Sequence, residues 1–168
     1  GSATYGYENK YFLTATARED GSSRFGPNNK WGFFPSLSGA WVVSQEQFMQ
    51  QVSWISSLKF RASWGLSGNQ EIPNDAYQTV VTQVGGVVNK IRYGNPDVKW
   101  ETTTQTNIGM DLSVLDNRVT INADYFNKNT DDILLAVHLP AVSVGVIEST
   151  YINSGSVNNK GFELGLKY

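Results

Sequence analysis

Hydrophobic and polar residues alternate with period two along most of the chain, the pattern of a β-strand with one apolar face. It is cleanest over Leu58–Ser67. There Leu58, Phe60, Ala62, Trp64 and Leu66 alternate with Lys59, Arg61, Ser63, Gly65 and Ser67. The same alternation runs through Ala3–Tyr7, Tyr11–Asp20, Trp31–Val43, Trp100–Val114, Arg118–Asn129 and Gly161–Tyr168. The fold class expected is all-β, an antiparallel up-and-down meander of seven long strands with sequential neighbours paired. Within these segments Arg18, Lys59, Arg61, Asp111, Asp124, Glu163 and Lys167 all fall opposite the apolar stripe. Phe60, Trp64, Met110, Ile121 and Leu164 are expected to lie bare on the outer surface of the sheet.

The connections alternate in length. Glu8-Asn9-Lys10 and Leu115-Asp116-Asn117 are tight turns. Between Val43 and Leu58 the spacing predicts a short helix, with Ser44 as N-cap and Phe48, Met49, Val52 and Ile55 as its apolar stripe. The other side carries Asp20–Lys30, Gly68–Lys99 and Thr130–Ile152. Within the second of these, Val80-Val81 and Val87-Val88 predict a small hairpin. In the third, Ser143-Val144-Gly145 is read as a place for the chain to bend. Pro35 cannot donate to a ladder, so a bulge or a gap in pairing is expected there.

Strand length bears on the solvent the sheet faces. Trp31–Val43 extends about 40 Å at ~3.3 Å per residue, and tilted by about 45° it spans a bilayer core. Soluble strands usually have about 5–6 residues. Trp31 and Phe33 at one end of this segment, Trp41 at the other, and Trp100 at the head of a later one stand where an interfacial aromatic girdle would be.

Composition narrows the classes. The chain has 168 residues, 13 basic and 15 acidic, net −2, a balance that gives no reason to expect nucleic acid as a partner. It contains no cysteine, which excludes disulfide frameworks, thiolate metal sites and cysteine nucleophiles. Mean hydropathy is −0.32, and no apolar run approaches the ~18 residues of a membrane helix. A transmembrane barrel escapes that test, because its strands alternate. The chain starts in a strand-like pattern without the features of a signal peptide, and it ends in one. The expectation is a piece of a longer protein.

Candidate chemistry is sparse. Asp131-Asp132 with Asn129 supplies too few oxygens for a hard-cation site, which wants six or more. His138, the single histidine, lacks a partner motif for catalysis. Gly-rich Asp20–Gly26 lacks the strand-loop-helix setting and the Lys-Ser/Thr pair of a phosphate cradle. No catalytic residues and no cofactor are assigned, and the chain is not read as an enzyme. Trp31, Trp54, Trp64 and Trp100 have faces that stack on sugars, but Trp64 lies on the apolar stripe. Loop residues Tyr77, Tyr93 and Tyr151 are the substrate-contact candidates.

Two stretches carry a family resemblance. One is Asp20-Gly21-Ser22-Ser23-Arg24-Phe25-Gly26 followed by Trp31-Gly32-Phe33-Phe34-Pro35-Ser36. The other is Asn95-Pro96-Asp97-Val98-Lys99-Trp100-Glu101-Thr102, running into Asn107-Ile108-Gly109-Met110-Asp111 and Asp124-Tyr125-Phe126-Asn127-Lys128, with Asn159-Lys160-Gly161-Phe162-Glu163 at the end. In order and over nearly the whole length, the chain resembles the SusC/RagA-type TonB-linked outer-membrane transporters of Bacteroidetes.

The resemblance implies part of a roughly 22-stranded transmembrane β-barrel around a plug domain. Residues 1–168 would be barrel wall alone, without the plug or the TonB box. It implies import of glycans or peptides across the outer membrane, powered by the TonB complex, with a SusD-like surface lipoprotein and outer-membrane lipid as partners. In that setting Asp20–Gly26 is a loop at the outer rim, with Arg24 and Phe25 packing back on the wall. The inward charged residues would face the lumen and plug. A soluble extracellular β-sandwich binding carbohydrate remains the alternative, since its strands alternate too.

Overall fold

A computed structural model describes residues 1–138 and 149–168. The expected bend at Ser143-Val144-Gly145 lies outside the described residues. One antiparallel sheet dominates, in the order β1-β2-β3-β4-β7-β8-β11. Its strands are β1 (Ser2–Tyr7), β2 (Tyr11–Gly21), β3 (Trp31–Val42), β4 (Ile55–Asn69), β7 (Glu101–Val114), β8 (Val119–Asp131) and β11 (Ser156–Lys167). Two hairpins rise from the long connections, β5 (Val80–Val84) with β6 (Val87–Arg92), and β9 (Leu134–His138) with β10 (Ser149–Asn153). The first hairpin is the one expected. The second rises from Thr130–Ile152, where the sequence pattern predicts no strand.

No second sheet covers the apolar face among the described residues, so the sandwich alternative fails. The register shows instead what the face is for. Tyr11, Trp41, Phe60, Met110, Ala123 and Leu164 form one cross-strand row. Relative to such rows the apolar window slides: Trp31–Trp41 in β3, Leu58–Leu66 in β4, Ile108–Val114 in β7, Val119–Tyr125 in β8 and Phe162–Tyr168 in β11. Strands tilted across a band of constant height produce that slip. Beyond Tyr125 and Phe162, whose rings meet at 4.9 Å, the same face turns polar, with Thr106, Asn127 and Lys160 in one row and Thr104, Asn129 and Asn158 in another. Phe60, Trp64 and Leu164 are exposed as expected, whereas Met110 and Ile121 are half-buried between neighbouring strands.

The turns at one end are tight for a local reason. Glu8 and Asn9, and Leu115, Asp116 and Asn117, have positive φ, and each turn closes on one backbone bond, the Lys10 N–H to the Tyr7 carbonyl and the Arg118 N–H to the Leu115 carbonyl. The helix expected after β3 does not form. Two single 3-10 turns, Val43–Gln45 and Gln47–Met49, stand there; Ser44 lies inside the first and caps nothing, and Ile55 opens β4. Phe48 is exposed, so the apolar spacing had no core to pack against. Pro35 marks a gap rather than a bulge. It pairs with Ala17 in β2, but β3–β4 pairing begins only at Ser36.

Candidate functional site: a loop collar above a polar wall

Among the described residues the buried apolar core gathers where the long connections meet the ends of β3 and β4, away from the apolar band. Phe25, Phe34, Ile72, Ala76, Val98 and Trp100 pack together, with Leu66, Tyr77, Leu134 and Tyr151 against them. Trp100 is 8% exposed, its ring 5.1 Å from Phe25 and 5.3 Å from Phe34. Trp100 is therefore not a girdle residue: the loop turns inward just before β7, and its indole becomes the centre of this core. Glycine makes the room. A methyl group at Gly68 would overlap the Phe34 ring, and one at Gly32 would lie 2.6 Å from it. The interval left between β3 and β4 above Pro35 is where that ring fits.

Hydrogen bonds staple the connections around this core. Asn29 Nδ2 donates to the carbonyls of Asp97 (3.3 Å) and Val98 (3.4 Å), and Trp100 Nε1 donates to that of Lys30 (3.4 Å). Arg24 Nη1 donates to the Gln70 carbonyl at 2.9 Å, so Arg24 and Phe25 do pack back onto the wall. Asn153 Nδ2 donates to the carbonyls of Lys99 and Asp132, both at 2.8 Å, while its Oδ1 accepts from the Lys99 N–H at 2.9 Å. Asp20–Gly26, the start of β3 and Asn95–Thr102 thus meet in space as a collar at the long-loop end, while the other stretches of the resemblance lie in β7, β8 and β11.

The acidic pair weighed as a cation site is occupied by this scaffold. Asp132 pairs with Lys99 at 2.7 Å, and Asp131 accepts from Asn129 at 2.6 Å. His138 lies in β9 opposite Ser149 and is exposed. Tyr77, Tyr93 and Tyr151 are brought to one corner of the collar. Hydrogen bonds join their segments: the Asn95 N–H donates to the Ala76 carbonyl at 3.1 Å and its Nδ2 to the Tyr151 carbonyl at 2.8 Å, while Thr150 Oγ1 donates to the Tyr93 carbonyl at 3.0 Å. Tyr77 and Tyr151 spend part of their rings on the core.

Below the collar, the polar face of the sheet carries an ion-pair network that alternation alone did not specify. Arg61 grips Asp111 through two bonds, Nε to Oδ2 at 2.8 Å and Nη2 to Oδ1 at 2.9 Å, and reaches Asp124 Oδ1 at 3.1 Å. Asn122 adds a bond to Asp111 Oδ1 at 2.8 Å. Arg61, Gly109 and Asp124 share one cross-strand row, so the guanidinium crosses over the glycine. A methyl group at Gly109 would overlap Asp124 Oδ1 and crowd Arg61 Nη2 at 2.9 Å. This glycine was the readable signal, an interruption of the polar stripe between Asn107 and Asp111.

At the tight-turn end a smaller cluster closes the apolar face. Tyr11 and Trp41, whose rings stack at 6.3 Å, both donate to Glu46 Oε1, at 2.5 and 3.1 Å. Lys10 Nζ lies 3.1 Å from Glu8 Oε2 and 3.7 Å from Glu46 Oε2. The Tyr11 and Trp41 donors hold the Glu46 carboxyl below its ordinary range, and Lys10 does the same for Glu8. Glu8 in turn raises the Lys10 ammonium.

A single-layer wall with a tilted apolar band, short turns at one end and a stapled collar at the other is the geometry of an outer-membrane barrel. The family model for TonB dependent receptor-like β-barrels matches residues 1–168. The chain belongs to the TonB-dependent receptor β-barrel family. Family membership makes this an outer-membrane wall and not an enzyme.

TonB-dependent receptor P39 of Formosa agariphila is 38% identical over 168 residues, covering 96% of this chain and 16% of that protein. TonB-dependent receptor SusC of Bacteroides thetaiotaomicron is 35% identical, covering 99% of this chain and 18% of that protein. Among solved structures, the RagAB peptide importer in its closed-closed state superposes with a TM-score of 0.88 at 34% identity, covering 98% of this chain and 18% of that one. The chain therefore spans less than a fifth of the length of these TonB-dependent receptors.

Proposed function

We propose that this chain supplies seven consecutive wall strands and part of the outer mouth of an active transporter that imports glycans or peptides across the outer membrane. The wall encloses a plug, the TonB complex powers the cycle, and a SusD-like surface lipoprotein works with the collar. The observation that carries this reading is the collar itself. Hydrogen bonds and a shared apolar core order three long connections at the end away from the tight turns. Loops so long are ordered at such cost in chain entropy where they serve a function. Tyr77, Tyr93 and Tyr151 stand at one corner of that mouth and offer ring faces to a sugar or a peptide side chain.

The test removes the mouth and spares the wall. Gln78 and Gly94 lie against each other through their backbones, so the β5–β6 hairpin can be replaced by a short Gly-Ser link without disturbing Ile72, Ala76 or Val98. In the full-length receptor this deletion should leave barrel assembly intact. TonB-dependent uptake of oligosaccharides or oligopeptides, or capture of the lipoprotein, should be lost. Survival of both uptake and capture would overturn the role of this hairpin in the mouth. Absence of TonB-dependent uptake of either substrate class by the unaltered receptor would overturn the transporter reading.

A further inference from the structure

The outward face of the wall is not evenly filled. Leu13, Gly39, Ala62 and Ile108 are direct neighbours in one cross-strand row. Two of the four have almost no side chain, and a groove of about 450 Å³ runs between Leu13 and Ile108. Tyr11, Trp41 and Phe60 line its lower edge from the adjacent row. Because the strands are tilted, the groove climbs from the tight-turn rim at Tyr11 toward the middle of the membrane.

The backbone does not demand the opening. Gly39 has no left-handed φ, and a Cβ there would meet only the Phe12 carbonyl oxygen, at an ordinary 3.7 Å. A larger side chain would fit, so the groove is a cavity the fold tolerates and does not need. In a bilayer, an apolar groove of this size fills with hydrocarbon.

The lower end supplies a head-group site. The two aromatic residues on the groove edge, Tyr11 and Trp41, are those that hold Glu46, and Lys10 stands between Glu46 and Glu8. Two carboxylates around one ammonium leave one negative charge in surplus. That surplus suits a head group with its own ammonium, the Lys10 N–H groups suit its phosphate, and an anionic head group without an amine would be repelled.

We propose that the Leu13–Ile108 groove seats one acyl chain of a zwitterionic aminophospholipid of the leaflet at the tight-turn end, which in an outer-membrane barrel is the periplasmic one, with its head group at Lys10, Glu8 and Glu46. The inference rests on the outward face lying in lipid and is independent of what the barrel imports. Its failure therefore leaves the transport reading standing, and the reverse holds too.

The experiment uses the full-length receptor, exchanged into mild detergent with phosphatidylethanolamine or phosphatidylglycerol of identical chains and examined by native mass spectrometry. The unaltered receptor should retain phosphatidylethanolamine in preference to phosphatidylglycerol. Gly39→Leu with Ala62→Leu fills the groove and should remove one bound phospholipid. Glu46→Gln should keep the chain site and lose the head-group preference. Equal retention by the filled variant, or no preference in the unaltered receptor, overturns the proposal.

A second measurement needs no variant. Crystals of the unaltered receptor grown with phosphatidylethanolamine brominated on its acyl chains should show anomalous bromine density between Leu13 and Ile108. An empty groove, or a second barrel packed into it, overturns the assignment.

Discussion

The same chain disposes of its apolar side chains in two opposite ways. On the band, Trp64 keeps 43% of its surface and Ile108 55%, with no protein layer over them among the described residues. In the collar, Phe25 and Trp100 are almost wholly covered by residues drawn from three connections. Band residues exchange water for lipid, so their contribution depends on the solvent around the wall. Collar residues exchange water for one another and pack as the interior of a small soluble domain does. The wall and the mouth therefore fail separately.

Trp100→Ala should have the largest effect on the collar. Truncating a buried Trp typically costs about 3–5 kcal/mol. Hydrogen exchange in the full-length receptor should show lost protection over 24–30 and 95–101, while the band stays protected and the barrel still assembles. A collar that keeps its protection would mean that the staples, and not this ring, hold it.

The reciprocal break is a charge on the band. Ala62→Arg places a cation on the lipid side, where the cost near the midplane is about 2–4 kcal/mol. Ser63→Arg puts the same charge one residue along, on the polar face beside Asn107. Outer-membrane levels of the first variant should fall well below those of the second. Equal levels would mean that the faces are assigned the wrong way round.

The smallest effect sharpens the polar side of the wall. Gly109→Ala should push Arg61 away from Asp124 and cost about 1 kcal/mol, a modest value because the partners are partly exposed and screened. Refolding into bilayers against urea measures it, and Arg61→Ala on the Gly109→Ala background should then add less than it does alone. Full additivity would show that the glycine does not serve the ion pair.

Period-two alternation made the strands, their order and the outward stripe legible, because each strand can bury only one face. Pro35 announced the pairing gap, since its lack of an N–H is a local property. Trp100 was misplaced for the opposite reason. Its fate depends on Phe25 and Phe34, far away in sequence, and parity along one strand carries no information about a loop folding back. The helix after β3 was misread because spacing reports a potential apolar face and not whether anything packs on it. The β9–β10 hairpin was missed because the sequence between its strands has no two-residue turn signal such as the Gly85-Gly86 between β5 and β6. The Arg61 network lay between the two extremes: its charges were assigned to the inner face, but their convergence needed the register.

The sliding of the apolar window along the strands has a consequence for how variation on this wall should be plotted. Cross-strand neighbours Tyr11, Trp41, Phe60, Met110, Ala123 and Leu164 are not at one depth; they climb a staircase from headgroup level at the tight-turn rim into the hydrocarbon. Tolerance to polar substitution will look erratic when sorted by row or by strand. Sorted along the diagonal that follows the band, it will fall on a single smooth profile of depth, and that diagonal is the natural coordinate for reading mutational scans of this barrel.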